Sequence, residues 1–468
     1  MLFSTPIFLF FFLPAVIVLY YLMKKNMRVY FLMLASLFFY AWGEKAYVLV
    51  MLLSILINYV FGMLISYTAT DRKPLRKLWL ALAVAGNIGI LYYFKYLDFT
   101  VYTINNSFHT EIPYQYVLLP VGISFFTFQG MSYIIDLYYQ KVNVQKNPAL
   151  VAFYISFFPQ LMAGPIVRYN HIVSQIYKRE ESLEKFAAGA KRFILGLAKK
   201  AIIANTLGFA ADQIFAHPPI ENAPSAIWLG VICYTFQIYF DFSGYSDMAI
   251  GLAKMFGFDF LENFNYPYIS KTITEFWRRW HISLSSWFRD YLYIPLGGNR
   301  TRRVYFNLIF VFIVTGFWHG ANFKFLVWGL WHGLFLIIER LLGLREVKNK
   351  ALVPLRYAAT MLIVIIGWVF FRADGLPEAA SYLGIMFGFV QPQNVSFSAM
   401  FYLTNRVLIT LIVAAFASTP VFKAKSLAVF GETPGLKAIT SIIYLVLFVF
   451  CIAFVVADSY NPFIYFRF

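Results

Sequence analysis

The sequence has few charged residues and almost no cysteine. Charged residues make up 13% of the 468 positions, about half the roughly 25% that is typical of soluble globular proteins. Cys233 and Cys451 both lie in apolar runs, which excludes a disulfide framework and a cysteine-based zinc site. With 60% apolar and 21% aromatic residues, a soluble fold of this length could not bury its apolar surface. The composition therefore excludes soluble, disordered and collagen-like classes and predicts an integral membrane protein.

Acidic residues are scarce relative to basic ones. The chain has 22 Asp and Glu against 39 Lys and Arg, a formal net charge of +17. No aromatic-interleaved basic tract of the RNA-binding kind is present, so we predict no nucleic-acid partner. Loops that face an anionic lipid bilayer explain the charge. The loop 71–77 carries four basic residues. We predict that this loop is cytoplasmic and that the N-terminus lies outside.

Apolar runs divide the chain into membrane spans, each of which needs roughly 20 residues. The predicted spans are residues 4–23, 29–42, 47–67, 78–97, 118–139, 149–166, 188–214, 226–256, 304–318, 324–343, 352–371, 400–420 and 436–458. We find no inverted repeat, low-complexity linker or soluble domain. The pattern predicts an all-α, polytopic membrane bundle of about eleven to thirteen membrane helices. It forms a single domain over residues 1–468, with the core motifs in 120–343.

Residues 271–303 interrupt this pattern because they are both polar and aromatic. Aromatic side chains alternate there with charged ones: Trp277, Trp280, Trp287 and Phe288 with Arg278, Arg279, Arg289 and Asp290. We expect interfacial or re-entrant helices whose rings dip into the membrane while arginines reach phosphates or carboxylates. Residues 157–168 contain Pro159, Gly164 and Pro165. They predict a broken helix, which membranes tolerate where it lines a cavity.

Three of the six histidines, His281, His319 and His332, lie in or near apolar segments. An ionisable residue at membrane depth is costly and usually faces a bundle interior or a wet cavity, so a functional role competes with simple helix-to-helix hydrogen bonding. His319 is the strongest candidate because Gly316 and Gly320 let another backbone or a substrate approach. His281 is the second candidate. If residues 319–332 formed one helix, His332 and His319 would lie on different faces.

The residue patterns favour general-base chemistry over other mechanisms. No H-x-x-x-H, G-x-S-x-G, P-loop or G-x-G-x-x-G occurs near these histidines, so metal, serine-nucleophile and nucleotide chemistry lack support. An imidazole can take the proton of an alcohol as the alcohol attacks a thioester or ester carbonyl. A second group would orient the acceptor or stabilise the developing oxyanion.

Long motifs resemble the membrane-bound O-acyltransferase (MBOAT) family. They are Trp277–Arg300, Phe317–Asn322 and Trp328–Gly333. Residues 157–168, 239–249 and 461–468 are similar to its bacterial alginate O-acetyltransferase branch, so the resemblance covers essentially the whole chain. It implies a central funnel and a tunnel across the membrane, His319 as the catalytic histidine and His281 at the second motif position. Phe323-Lys324 departs from the family pattern. Lys324 either tunes the donor site or snorkels to the interface, and we expect the second.

The resemblance implies an O-acetyltransferase. Acetyl would pass from a cytoplasmic thioester, acetyl-CoA or an acyl-carrier protein, to a hydroxyl of an extracytoplasmic polysaccharide such as alginate, directly or through a relay protein. A secreted acetyltransferase-like partner, the lipid bilayer, a multi-pass location in the bacterial inner membrane and no permanently bound cofactor or metal are also expected. Candidate substrate-binding residues are Arg278, Arg279, Trp280, Asn322, Trp318 and Asp290.

Alternatives to this function remain open from the sequence. Within the family they are peptidoglycan O-acetylation and teichoic-acid D-alanylation. The non-enzymatic alternative is a transporter of the acyl donor. Basic residues are candidates to bind the phosphates of CoA, with anchoring at the membrane surface as the other explanation. They are Arg278, Arg279, Arg168, Lys199 and Lys200.

Overall fold

The computed structural model describes residues 1–347, 349–393, 395–421, 434–457 and 460–464. These residues confirm the all-α prediction. Within these ranges the one β pairing is an isolated parallel bridge between Asn222 and Phe397.

The helices follow the predicted spans closely. Their bounds are α1 Leu13–Leu22, α2 Arg28–Glu44, α3 Val48–Tyr67, α4 Lys73–Lys95, α5 Leu97–Phe108, α6 Ile123–Tyr138, α7 Pro148–Ser156, α8 Phe158–Leu161, α9 Tyr169–Tyr177, α10 Leu183–Ala198, α11 Asn205–Phe215, α12 Pro224–Met255, α13 Ile273–Arg279, α14 Ile282–Phe288, α15 Val304–His319, α16 Phe323–Leu341, α17 Val353–Arg372, α18 Leu376–Met386, α19 Ala399–Tyr402, α20 Asn405–Ala417 and α21 Pro434–Ala457. Turns of π-helix at Phe8–Phe12, Lys199–Ala204 and Arg289–Tyr293 continue neighbouring helices.

Six stretches among the described residues are long and apolar enough to cross a membrane. They are Arg28–Tyr67, Lys73–Lys95, Leu183–Phe215, Pro224–Met255, Lys350–Arg372 and Ala438–Ala457. Three shorter apolar helices accompany them: Phe8–Leu22, Val304–His319 and Asn405–Ala417. The chain is therefore a multi-pass membrane protein, and the predicted count of eleven to thirteen helices stays a prediction.

The predicted break near Pro159 is confirmed. Helix α7 ends at Ser156, and a single turn, α8, follows at Phe158–Leu161. A Cβ at Gly164 would lie 2.6 Å from the Cα of Gln160, so only glycine permits the chain to fold back on this turn. That the segment walls a cavity stays a prediction.

The chain divides into two compact units. Unit 1 consists of Met1–Phe193 and Met248–Leu261, and unit 2 of Ile194–Asp247 and Glu262–Phe468. The prediction of a single domain is not decided by this division. Within unit 1, α3, α4 and α6 pack on one another.

Polar contacts join the helices of unit 1. Asn58 of α3 donates from Nδ2 to Oδ1 of Asn87 in α4 at 3.0 Å, and both side chains are buried. A Cβ at Gly130 of α6 would lie 2.4 Å from Asn58 Nδ2. Hydrogen bonds and small residues are the usual means by which apolar helices pack in lipid, where the hydrophobic effect between helices is absent.

Unit 2 contains a tight helical hairpin, α15–α16. A Cβ at Gly316 would lie 2.3 Å from the backbone oxygen of Phe325, and one at Gly329 would lie 2.3 Å from that of Phe312. The two backbones thus touch where each helix has a glycine. Helices α13 and α17 pack against α16, so the hairpin supports the segments that carry the candidate site.

Candidate active site

The segment with His281 is attached to the hairpin through Glu339 of α16. The Glu339 carboxylate accepts the backbone N–H groups of Ile273 at 2.5 Å and Thr274 at 2.9 Å. It also accepts the Thr274 hydroxyl at 2.8 Å. Because these N–H groups begin α13 and have no partner inside the helix, the buried carboxylate caps it and fixes its position on α16.

His281 lies in the turn between α13 and α14 with an unusual backbone conformation. Its φ of 42° is in the left-handed region, which costs a residue other than glycine about 1 kcal/mol or more. Asn263 holds this turn, since its backbone oxygen accepts the N–H of Ile282 at 2.9 Å. The Asn263 side-chain oxygen, Oδ1, lies 3.1 Å from His281 Nδ1 and accepts the N–H of Ser283 at 3.2 Å.

Burial keeps His281 uncharged. The side chain is 1% exposed, and the ring of Phe242 lies 4.6 Å from its ring. Burial lowers the pKa of His281 to about 3, because a charged imidazolium loses its hydration there. His281 is therefore a neutral imidazole near pH 7.

His319 is the last residue of α15 and is buried among aromatic rings. Ring centroids of Trp318, Trp328 and Phe371 lie 4.9, 4.9 and 5.2 Å from that of His319. The flanking glycines serve helix packing: Gly316 meets the backbone of α16, and a Cβ at Gly320 would lie 2.2 Å from the ring of Phe325. The glycines beside His319 were expected to let either another backbone or a substrate approach. The approach of another backbone is confirmed at Gly316.

Two tryptophans bring the three histidines together. Trp318 lies 6.2 Å from His281 and 4.9 Å from His319 between ring centroids. Trp328 lies 4.9 Å from His319 and 5.2 Å from His332. Residues 319–332 do not form one helix, so the condition under which His319 and His332 would lie on different faces is not met. The chain turns between α15 and α16, and both histidines meet Trp328.

His332 differs from the other two histidines in its surroundings. It is fully buried, and within the described part of the chain neither of its ring nitrogens has a hydrogen-bond partner. Its ring centroid lies 5.2 Å from Trp277 and 6.2 Å from Phe276. Its surroundings are those of a packed core side chain.

The expectation that the aromatic rings of residues 271–303 dip into the membrane is wrong. The side chains of Trp277, Trp280, Trp287 and Phe288 are all buried in the protein. Trp280 lies 4.9 Å from Trp368 and 5.1 Å from Phe264 between ring centroids. The segment is covered by protein on its aromatic side because its rings complete the core around the histidines.

The other candidate substrate-binding residues divide by environment. Trp318 touches both His281 and His319, and Arg278 is exposed. Arg279 pairs with Glu275 at 2.8 Å, and Asp290 pairs with Arg289 at 2.6 Å. Asn322 caps α16, because its side chain accepts the N–H of Lys324 at 3.0 Å. Substrate binding by these residues stays a prediction.

Lys199, Lys200 and Lys324 of unit 2 each bind a group of the protein. Lys324 is 8% exposed and donates from Nζ to the backbone oxygen of Ala373 at 2.6 Å. The expectation that it snorkels is therefore wrong, since the side chain is buried and its ammonium group binds a carbonyl at the end of α17. Lys200, 3% exposed, pairs with Asp241 at 2.6 Å, and Lys199 pairs with Asp247 at 2.6 Å.

Sequence reasoning missed Asn263 and Glu339. Asn263 lies in the polar stretch 261–270 that precedes the histidine motif, and its neighbours Tyr266 and Pro267 signal an irregular loop. Glu339 sits in an apolar helix, where a carboxylate is costly enough to indicate a specific partner. Within the described ranges, no group of three or more His, Cys, Asp or Glu side chains is placed to hold a metal ion.

Comparison with known proteins identifies the class. The model of the membrane-bound O-acyltransferase family (MBOAT) matches residues 87–346, more than half of the chain. The chain therefore belongs to this family and is a membrane O-acyltransferase.

The chain is similar to members of this family that carry three different names. The chain is 43% identical to the probable alginate O-acetylase AlgI of Pseudomonas putida, in an alignment that covers 100% of both chains. It is 35% identical to the peptidoglycan O-acetyltransferase of Helicobacter pylori, over 83% of this chain and 80% of that protein. The teichoic acid D-alanyltransferase of Bacillus subtilis is 32% identical over 43% of this chain and 53% of its own.

Proposed function

We propose that this protein transfers acetyl groups across the bacterial inner membrane to hydroxyls of an extracytoplasmic polysaccharide. The donor is a cytoplasmic thioester, acetyl-CoA or an acyl-carrier protein, and the acceptor is an alginate-type polymer reached directly or through a secreted relay protein. The observation that carries the proposal is His319, buried at the end of a membrane helix and joined to His281 through Trp318. The full-length similarity to alginate O-acetylases supports the acceptor class.

The chemistry follows from a neutral imidazole next to a hydroxyl and a thioester. His319 takes the proton of the acceptor hydroxyl while its oxygen attacks the acetyl carbonyl, so that the new C–O bond forms. The tetrahedral intermediate then breaks the C–S bond, and the proton passes from His319 to the departing thiolate. His281 orients the acceptor, and the surrounding rings exclude water that would hydrolyse the thioester.

A comparison of acetyl transfer to different acceptors tests this proposal. Purified protein in detergent is given acetyl-labelled acetyl-CoA with oligomannuronate, a peptidoglycan fragment or no acceptor. For direct transfer we expect labelled ester on the oligomannuronate, and for transfer through a relay protein we expect release of CoA from acetyl-CoA without a labelled polysaccharide. Acetyl-CoA left intact under all three conditions would contradict the proposal. If the peptidoglycan fragment were labelled in preference, peptidoglycan would replace alginate as the proposed acceptor. The 35% identity to a peptidoglycan O-acetyltransferase makes peptidoglycan the second candidate acceptor.

Acetyl transfer by detergent-solubilised protein, which has no sealed membrane around it, also distinguishes an enzyme from a transporter of the acyl donor. A transporter moves the donor but leaves the thioester intact, so detergent-solubilised protein would consume no acetyl-CoA. Ester formation by the solubilised protein would therefore exclude a transporter that does no chemistry. Membership in an acyltransferase family already favours the enzyme.

A further inference from the structure

Asn263 uses every polar group of its side chain inside unit 2. It is fully buried, and its Nδ2 donates to the Ser246 hydroxyl oxygen on α12 at 3.0 Å. Its Oδ1 accepts from the Ser283 backbone N–H at 3.2 Å and from the Ser283 hydroxyl at 2.9 Å. The same Oδ1 lies 3.1 Å from His281 Nδ1.

The Ser283 backbone decides which way the Asn263 amide faces. A backbone N–H can only donate, so the Asn263 atom that meets it must be the oxygen and not the NH₂ group. In the opposite orientation two donors would face each other in a buried site and both would lack an acceptor. The orientation of the amide is therefore set by the backbone of the α13–α14 turn.

An oxygen against His281 Nδ1 fixes the position of the ring proton. Since Asn263 Oδ1 has no proton to give, the contact is a hydrogen bond only if Nδ1 carries the hydrogen. A neutral imidazole has one N–H, so Nε2 then carries the lone pair. A neutral His281 in this tautomer can accept a proton or hydrogen bond at Nε2 and cannot donate one there.

We propose that Asn263 is a positioning residue that holds His281 in its Nδ1-protonated form, so that Nε2 accepts a hydrogen bond from the acceptor hydroxyl. This inference rests on the proposed acyl transfer and selects between two roles for the second histidine. It assigns His281 to orienting the hydroxyl and rules out donation from His281 Nε2 to the oxyanion. An amide, unlike a carboxylate, orients the ring without stabilising an imidazolium.

The charged groups near His281 leave it neutral. Titratable groups lie on the elements packed around it. They include Cys233, Tyr234, Tyr239, Asp241, Tyr245, Asp247 and Lys254 on α12, Asp259, Glu262, Tyr266 and Lys271 in the preceding loop, Glu275, Arg278 and Arg279 on α13, and Tyr305 and His319 on α15. Asp241 and Asp247 are paired with Lys200 and Lys199. Burial is what lowers the pKa of His281, so we expect the wild-type enzyme to lose no activity through His281 protonation between pH 5 and 9.

The tautomer can be measured without any activity assay. Protein labelled with ¹⁵N-histidine gives distinct nitrogen shifts for the two neutral tautomers, and the His281 signals are those absent from His281→Gln. We expect an Nδ1-protonated His281 in the wild type. An Nε2-protonated His281 would overturn the inference and would leave acyl transfer at His319 intact.

Asn263→Asp tests the positioning role through the pH profile. The variant keeps the shape and the acceptor oxygen, and Ser246 can turn its hydroxyl to donate to the new carboxylate. The added negative charge raises the pKa of His281 by about 1–3 units. We expect an acid limb, absent in the wild type, that at the upper end of this range halves kcat at pH 6 and lowers it about tenfold at pH 5, both relative to pH 8.

Asn265→Asp is the matched control, because Asn265 is exposed and lies in the same loop. It adds the same charge without contacting His281, and we expect its pH profile to follow the wild type. An unchanged profile in folded Asn263→Asp would overturn the inference. If His281→Gln retained full acetyl transfer while His319→Ala lost it, the orienting role of His281 would be wrong and the proposed transfer would stand.

Discussion

At the scale of single residues, the three histidines share two tryptophans but meet different partners. His281 contacts Asn263, His319 ends a membrane helix among three aromatic rings, and His332 is enclosed by rings with no hydrogen-bond partner in the described structure. A buried imidazole without a partner loses nothing when an apolar side chain of similar size replaces it. We therefore propose a chemical role for His281 and His319 and a packing role for His332.

Replacing His332 separates packing from catalysis. We expect His332→Leu to fold and to keep at least about a tenth of the wild-type kcat, whereas removal of a general base costs about 100- to 10,000-fold. The measurement is acetyl transfer in detergent alongside the midpoint of thermal unfolding. A 100-fold loss in a variant with wild-type thermal stability would show that His332 takes part in the reaction.

The sequence identified His319 and His281 as candidates because ionisable residues in apolar segments are rare and costly. It did not predict that Lys324 is buried, because the carbonyl that binds it belongs to Ala373, 49 positions away. A side chain's partner across such a separation is set by tertiary packing, which no local pattern contains. Asn263 was missed for the same reason.

At the scale of elements, the α15–α16 hairpin sets where His319 and Trp328 meet. Its backbones approach at Gly316 and Gly329, where a Cβ would lie 2.3 Å from a backbone oxygen of the other helix. Such an overlap cannot relax by rotating a side chain, so one helix must move. A shift of the hairpin displaces the ring of His319 from its aromatic surroundings.

Gly316→Ala tests this dependence on close packing. We expect a loss of about 1–3 kcal/mol of stability from overpacking and a lower kcat in the folded fraction. Gly89→Ala in α4 is the control, because nothing lies within 4 Å of its Cβ position and alanine favours a helix. Equal unfolding midpoints for the two variants would contradict the packing account.

The apolar runs predicted the membrane helices well, since length and hydropathy are local properties. The short helices α5, α9 and α18 were not predicted, because each has at most 12 residues and forms only where tertiary contacts cover it. The segment 271–303 was predicted as helical, but its rings were assigned to the membrane. Composition alone does not distinguish a ring that faces lipid from one that faces protein.

At the scale of the whole molecule, the basic loops predict how the chain crosses the membrane. The loop 71–77 with its four basic residues is expected in the cytoplasm, and α4 then carries the chain to the outer face near Tyr96. The wild-type cysteines, Cys233 and Cys451, are both fully buried. A single introduced cysteine is therefore labelled against a low background.

Labelling of intact cells with a membrane-impermeant thiol reagent tests this topology. We expect His109→Cys, an exposed position beyond α5, to react, because it lies outside. Arg72→Cys, also exposed, is expected to react only after the cells are opened. Labelling of Arg72→Cys in intact cells would reverse the predicted orientation.

The central claim is that His319 carries the proton in acyl transfer. The most direct measurement is single-turnover transfer of labelled acetyl from acetyl-CoA to oligomannuronate by His319→Ala, with the exposed His109→Ala as the control. The account predicts a rate at least about 100-fold below wild type for His319→Ala, with wild-type unfolding midpoints and an unchanged rate for His109→Ala. Full transfer by folded His319→Ala would contradict it.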